Sequence, residues 1–520
     1  MANHGQDHLH RLIYAMTSTE KRYFKLHVGR TSGPGHSIQL LLFDAVAAMP
    51  VYDEAALLQR FAGEAFTHRF AVTKRRLYEA VLRSLDAFHN ESSVDARLAR
   101  SLHQVSILYD KALYEDALKM THSVTRLARQ YDRQPALLAA LQWERRLVER
   151  DNYAHTDQDE VARINAEAAE LRTTLDHTDR LWHIKSHLFM ELYRQGQVRD
   201  ADARQQVQQL LGDPLLTADP SSLAIRPRFL HHHVRSAAAF ALGDAVQCRE
   251  HLLHNRTLLL AERERFAEEP NLMLALLGNL AYVSAALGQS DEALAYLKEF
   301  RQVPADWNMA ETDDLELKLF TTSMSLELSL HLSMGALQRA DELLPAVERG
   351  LLRHGDRIGP LRRTGLLYLI AYVHFLFGRS AQALRWTNTL IGELRGQAGH
   401  DVSLAARSLY LLLLLEQGKH DLLPYAVRNA ERFLKAHALS VRSAKLVAGL
   451  VKNLARCAKP AEERTLLEEA RAQCAALEQD PYERGVLEQL DLPAWLEARI
   501  QGRTTAEVIT TRHDGVRAGP

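Results

Sequence analysis

The chain reads as an all-α fold, an α-solenoid of helical hairpins that recur at a near-constant interval. Three observations predict it. Turn-prone residues recur at Gly196, Gly243, Gly288, Gly335, Gly378 and Gly418, in steps of 47, 45, 47, 43 and 40 residues. Ala112 lies 84 residues before Gly196, with a polar break at Asp151-Asn152-Tyr153-Ala154 midway, and Lys459-Pro460 follows 41 residues after Gly418. A period of this length, with two helices per unit, marks a stacked repeat array. Second, no stretch alternates apolar and polar residues with β-branched enrichment, so strands are not expected. Third, 520 residues exceed the roughly 250–300 that one compact core organises, whereas a repeat array escapes that limit.

Composition narrows the function classes. The chain is 47% hydrophobic and 25% charged, as in a soluble folded protein. A net charge of −1 supplies no global field toward nucleic acid or an anionic membrane. Cys248, Cys457 and Cys474 contain no C-x-x-C pair and cannot build a disulfide framework, so a cytoplasmic location is expected. The N-terminus lacks a basic segment leading into an apolar run, so no secretory signal is expected. The longest apolar stretch, residues 366–377, is interrupted by His374 and falls short of the roughly 20 residues of a membrane span.

Residues 1–90 lie outside the repeat pattern and form a helical module. A first helix is expected over residues 8–27, with Thr17-Ser18-Thr19-Glu20 inside it as a break or second N-cap. Three glycines and a proline in residues 29–35 require a loop. A second helix is expected over residues 37–48, and Asp53 is placed to cap a short third. Residues 64–88 read as a long fourth helix, with Leu77, Val81, Leu85 and Phe88 on one apolar stripe.

Residues 91–480 hold the paired helices. The second helix of each unit opens alike, as in Tyr114-Glu115-Asp116-Ala117-Leu118 and Ser290-Asp291-Glu292-Ala293-Leu294. An alanine stands five residues after the turn at Ala117, Ala201, Ala293, Ala340 and Ala383. Glycine releases the backbone at the turn, and alanine lets two antiparallel helices approach. Residues 211–227 are the longest irregular stretch inside the array and read as a loop on one rim. In residues 481–502, Leu492-Pro493-Ala494-Trp495-Leu496 opens a short capping helix. Residues 503–520 lack apolar periodicity and are expected to be disordered.

This pattern resembles the tetratricopeptide-repeat family, which carries a glycine late in its first helix, an alanine five residues on and a bulky residue four further. The last position is Thr121, Leu297, Leu344 and Thr387 here, and Cys248 and Leu423 replace the alanine in two units. Leu242-Gly243, Leu287-Gly288 and Phe377-Gly378 are degenerate forms of the turn. The period exceeds the family's roughly 34 residues, so the units are extended, TPR-like hairpins. The resemblance implies a right-handed superhelix of about nine hairpins, and it is nearly silent on function.

No catalytic signature is present: no phosphate loop, no H-E-x-x-H, no G-x-S-x-G and no EF-hand loop. No catalytic residue and no cofactor are expected. Histidine is the unusual count, at 25. His233, Cys248, His251 and His254 flank one turn, and antiparallel helices would bring them level, as a zinc site requires. No pair has recognised zinc spacing, so the competing reading is half-exposed helix positions without metal.

Residues 1–90 carry 11 basic against 8 acidic residues, in clusters around Lys21-Arg22 and Lys74-Arg75-Arg76. Read as a helix-turn-helix, Thr73 would cap a recognition helix whose Lys74, Arg75 and Arg76 meet phosphates. The competing reading is one unbroken helix that caps the array.

The concave groove is the expected working surface. Positions three, six and ten before the turn residue, and one further turn back at His183, select ten groove residues. They are Tyr109, His183, Met190, Tyr193, His233, Phe240, Tyr282, Tyr368, Tyr372 and Phe375. Aromatic and methionine side chains there would anchor a peptide or partner helix. The expected function is a non-enzymatic cytoplasmic scaffold that binds a peptide or partner protein. A DNA-binding regulator with a repeat sensor domain is the alternative, and self-assembly is the third reading. No membrane partner is expected.

Overall fold

The computed structural model describes residues 7–31, 38–89, 93–195, 197–198, 200–394, 401–436, 441–480, 483, 487 and 489–517. Among these residues the fold is all-helical, with 25 α-helices and no strand. The chain forms two compact units, Met1–Leu171 and Arg172–Pro520.

The first unit opens with α1 (His8–Ala15), α2 (Ser18–Thr31), α3 (Ile38–Ala47), α4 (Glu54–Arg60) and α5 (Phe70–His89). The chain breaks at Thr17. There the Thr17 amide donates to Glu20 Oε2 at 2.6 Å and the Glu20 amide donates to Thr17 Oγ1 at 3.2 Å. This reciprocal capping box starts a second helix inside the span expected as one. Asp53 caps α4 through the Ala56 amide at 3.0 Å, as expected. The long fourth helix is shorter than its pattern suggests. Gly63, at φ 97, and a 3-10 turn, Ala65–Arg69, precede α5. Leu9, Ile13, Phe24, Phe43, Leu77 and Val81 bury together, with the Phe24 and Phe43 rings 4.4 Å apart.

Next come α6 (Val94–Asp110), α7 (Tyr114–Gln130) and α8 (Gln134–Arg150), which pack on one another. Ala112 makes the α6–α7 turn with φ 59, a left-handed conformation normally left to glycine. The following helix, α9 (Gln158–Gln195), departs from the pattern. It runs 38 residues through a boundary where one unit should end and the next begin. No glycine or proline interrupts this span, so nothing in it forces a turn. The division between the two compact units falls inside this helix.

The second unit continues with α10 (Ala201–Leu211), α11 (Pro214–Thr217), α12 (Ile225–Ala241), α13 (Ala245–Ala261), α14 (Pro270–Ala286) and α15 (Ser290–Asp306). Then follow α16 (Asp313–Ser333), α17 (Leu337–His354), α18 (Pro360–Leu376), α19 (Ser380–Glu393), α20 (Asp401–Glu416), α21 (Leu423–Ala436), α22 (Arg442–Leu454) and α23 (Pro460–Glu478). From α12 on, each helix packs on its chain neighbour. In addition, α14 meets α16, α16 meets α18, α18 meets α20 and α20 meets α22. Helices α14, α16, α18, α20 and α22, the even-numbered ones, therefore form one continuous layer, on which the odd-numbered helices pack.

The turn residues behave as their spacing predicts. Gly243, Gly288, Gly335, Gly378 and Gly418 all have φ between 63 and 77; Gly196 lies outside the described residues. Ala117, Ala293, Ala340 and Ala383 are fully buried, and Cys248 and Leu423 are buried at the same position, whereas the fifth expected alanine, Ala201, is exposed at the start of α10. Four residues further, Thr121 and Thr387 are also fully buried. Their hydroxyls donate to the carbonyls of Ala117 and Ala383, each at 2.8 Å. That local bond lets a polar residue occupy an apolar position without an unsatisfied group. The period reappears in the ion pairs. Arg226 meets Glu269, Arg249 meets Glu292, Arg256 meets Glu299 and Arg263 meets the Asp306 carbonyl, each 43 residues along the chain. These half-buried contacts serve here as a ruler of the repeat.

Residues 211–227 are not a loose rim loop. They fold into α11 and a 3-10 turn, Pro220–Ser222, and bury Leu215, Leu216 and Leu223. Arg235 clamps them from α12 by donating to the Leu216 carbonyl at 2.6 and 3.0 Å. At the C-terminal end the expected capping helix is present as α24 (Leu492–Gln501), packed on α23. The expected disordered tail is instead α25 (Thr505–Arg517), with Ala506, Val508 and Ile509 buried. Glu483, itself buried, accepts from the Arg442 and Ser443 amides at 2.5 and 2.9 Å. It thereby caps α22 from 40 residues downstream, where Val441 offers no side-chain cap.

The left-handed backbone at Ala112 yields a test. Ala112→Gly should raise stability by about 0.5–1 kcal/mol, seen as a higher urea midpoint, because glycine adopts this conformation without the Cβ clash.

Candidate functional site

The exposed side of the even-numbered layer in the second unit carries the clearest concavity with aromatic lining. Tyr282 from α14, Ser329 from α16 and Tyr372 from α18 stand six residues before their turn glycines. All three line one cavity of about 490 Å³. Leu326, Leu332, Tyr368 and Leu376 complete its floor, and Ile509 and His513 of α25 form a wall. The register expected from the turns therefore places these side chains together.

The C-terminal segment covers part of the same face. The Tyr368 hydroxyl donates to the Gln489 carbonyl at 2.6 Å, and the Asp491 amide donates to the Tyr372 hydroxyl at 3.1 Å. Trp495 is buried with its indole N–H on Glu416 at 2.9 Å. Arg512 binds Glu497 at 2.7 Å and approaches Asp491 at 3.6 Å, joining α25 to α24. Burial holds both phenols above the ordinary tyrosine range, so they stay protonated. Tyr368, Tyr372 and Phe375 are buried, not open anchors as the sequence suggested, because this segment and their own neighbours cover them.

The other expected groove residues divide. Tyr282 is 44% exposed, with its ring 6.0 Å from Phe240, which is half-buried. On α9, Met190 and Tyr193 are exposed at 49% and 60%, beside exposed His183. The His233 ring stacks on Phe189 at 5.3 Å and on Phe229 at 5.9 Å, and burial lowers its pKa to about 4. Tyr109 belongs to the first unit. There it packs on Tyr114 and Trp143, at 5.4 and 5.5 Å, inside its own hairpin stack.

The histidine cluster differs from the sequence reading by one residue. His232, not His233, faces His251 and His254. Its Nδ1 lies 3.2 Å from His251 Nδ1, and its ring stacks on His254 at 4.7 Å. Consecutive helix residues point about 100° apart, which is why the neighbour replaces the expected member. Cys248 is buried and its thiol is pushed up to about 12, so it is a protonated core residue. Among the described residues no group of three His, Cys, Asp or Glu side chains is placed to hold a metal.

Lys74, Arg75 and Arg76 do not form the expected recognition edge. Thr73 lies inside α5 and donates to the Arg69 carbonyl at 3.3 Å instead of capping the helix. Lys74 binds Asp7 at 2.6 Å and Glu54 at 2.7 Å, and donates to the Tyr52 hydroxyl. Burial opposes its charge, but these bonds hold its pKa above the ordinary lysine value. Arg75 is exposed and pairs with Glu79 at 3.0 Å; Arg76 is exposed.

The C-terminal wall is the part of the site that periodicity missed. A signal for it exists in Thr504-Thr505-Ala506-Glu507. The Thr504 amide donates to Glu507 Oε2 at 2.8 Å and the Glu507 amide to Thr504 Oγ1 at 3.2 Å, a capping box that announces a helix. No protein-family model matches the chain, and no curated protein matches it in sequence. Among the described residues, no helix is long and apolar enough to cross a membrane.

Two outcomes follow from this geometry. A Cβ at Gly335 would stand 2.5 Å from the His513 ring, at a φ of 66. Gly335→Ala should therefore loosen α25, read as faster amide hydrogen exchange over residues 505–513. The histidines predict a pH dependence. Burial first, then like charge, lowers His232 to about 3 and His251 to about 4, with His231, Arg228, Arg235, His254 and Glu250 as the other charged or titratable neighbours. An unfolded chain takes up these protons near pH 6.5 while the folded chain holds them off to about pH 4. Stability is thus complete above pH 6.5 and declines as the pH falls below it. The urea midpoint should drop between pH 7 and 5, and less so in His232→Leu.

Proposed function

We propose that the chain is a non-enzymatic, cytoplasmic protein-interaction scaffold built as a right-handed, TPR-like α-solenoid. It binds a peptide or partner-protein segment on the even-numbered face of residues 172–520. One observation carries the reading. This face already holds main chain, since the Tyr368 and Tyr372 hydroxyls bind the Gln489 carbonyl and the Asp491 amide. Beside that bound segment the same register continues as an open cavity with Tyr282 exposed. Phenols that bond backbone groups, set among leucines, recognise a polypeptide without a fixed sequence, and exposed aromatics supply the anchoring area. The regular helix spacing and the buried alanines at 117, 293, 340 and 383 support the TPR-like architecture.

The experiment places a photoreactive benzoylphenylalanine at Tyr282 or Ser329, and at Lys298 on α15 as a control, in cells of the native source. A common protein adduct at positions 282 and 329, absent at 298 and lost with Tyr282→Glu in the Ser329 probe, is the expected result. Equal labelling at all three positions, or no protein adduct at 282 and 329, would refute the scaffold reading.

A further inference from the structure

We infer that a second pocket, between α19 and α21 and floored by α20, binds a carboxylate carried on an apolar body. The pocket measures about 420 Å³, within the usual range for small ligands. Its walls are mainly apolar, with Ile391, Ala426, Ala430 and Phe433 among them, and Arg407, Tyr410, Asn429 and Arg432 supply its polar groups. Among the described residues, no carboxylate lines it.

Arg407 is the centre of the argument. Counting back from each turn glycine, it stands eleven residues before Gly418, where the neighbouring units carry Leu277, Met324 and Leu367. Leu277 and Leu367 are buried there. A guanidinium has thus replaced a core aliphatic side chain. It is half-buried, with its carbon 3.9 Å from the centre of the Phe433 ring. Its one hydrogen bond in the described structure is long, 3.5 Å from Nη1 to the Ser403 carbonyl. Other half-buried arginines in this unit meet acids or several carbonyls: Arg249 has Glu292, Arg256 has Glu299, Arg363 has Glu393, Arg379 has Asp341, and Arg228 and Arg235 bind backbone carbonyls at 2.6 to 3.1 Å. Arg407 has none of these compensations, and burial alone pulls its pKa below the ordinary arginine value.

Partly burying a guanidinium that faces no acid is costly, and a leucine would serve packing better. The stacked face is satisfied by Phe433; what is missing is an in-plane acceptor. A carboxylate offers two oxygens that match the guanidinium edge, and Arg432 adds a second positive charge. The apolar walls require that the anion bring an apolar body, which disfavours a free phosphate. Free aromatic acids and the C-terminal carboxylate of a peptide ending in an apolar residue share this chemistry.

The test is calorimetry on the full chain with 4-phenylbutyrate, its amide, phenyl phosphate, and a short peptide ending in phenylalanine as free acid or amide. The expected result is a dissociation constant between about 0.05 and 1 mM for a free acid, at least about tenfold tighter than its amide. A tighter peptide acid assigns the site to a chain terminus, and a tighter phenylbutyrate to a small molecule; either supports the carboxylate site. Arg407→Leu should abolish the preference for acid over amide while raising the melting temperature of the ligand-free protein. Equal affinity for acid and amide, tightest binding of phenyl phosphate, no saturable binding of either acid, or a lower melting temperature in Arg407→Leu would overturn the inference.

Discussion

Each helical hairpin in this chain is too thin to bury its own apolar surface. That constraint organises the second unit. A two-helix layer has one face on the previous hairpin and one on the next, and burial is complete only when both neighbours are present. Leu366 to Phe375 in α18 show the result: these positions are buried almost without interruption, because α16, α17, α19 and α20 surround the helix. An amphipathic stripe suits an element with one dry side, and α18 has few wet ones.

The same constraint explains what could be read from residues alone. Glycines that must adopt positive φ, and alanines that must fit between crossing helices, depend on local geometry, so their spacing announced the turns. Asp53 and the Thr17 to Glu20 box are equally local and equally legible. Tyr282 and Tyr372 stand at the selected register and line one concavity, while Ser329, at the same offset, was not among the residues selected. What periodicity could not reveal was contact over long chain distance. Gln489 meets Tyr368 across 121 residues, and no helical period encodes that pairing. The continuous α9 is the opposite error: a regular interval suggested a boundary, while the absence of any helix-breaking residue decided against it.

Departures from the repeat are more informative about function than the repeat itself. At the position eleven residues before the turn, three successive units carry Leu277, Met324 and Leu367, while others carry Ser101, Lys185, His232 and Arg407. His232 is compensated by stacking on His254 and contact with His251. Arg407 keeps an aromatic partner but no acid. Thr121 and Thr387 show that a polar substitution inside this architecture need not signify anything, because a hydroxyl can satisfy itself on its own helix. A guanidinium is satisfied only in part this way: Arg407 reaches the Ser403 carbonyl of its own helix, and its remaining donors need other acceptors.

Glu483 gives the end of the chain a role that its position in the sequence conceals. Its carboxylate terminates α22, Trp495 fills the space beside Glu416, and Val508 and Ile509 complete the apolar layer. Glu483, Trp495, Val508 and Ile509 therefore act as a keystone, not an appendage. Proteolysis or truncation there would expose a greasy step from which the array could add a foreign helix, so aggregation, not simple loss of a tail, is the expected fate of the shortened chain.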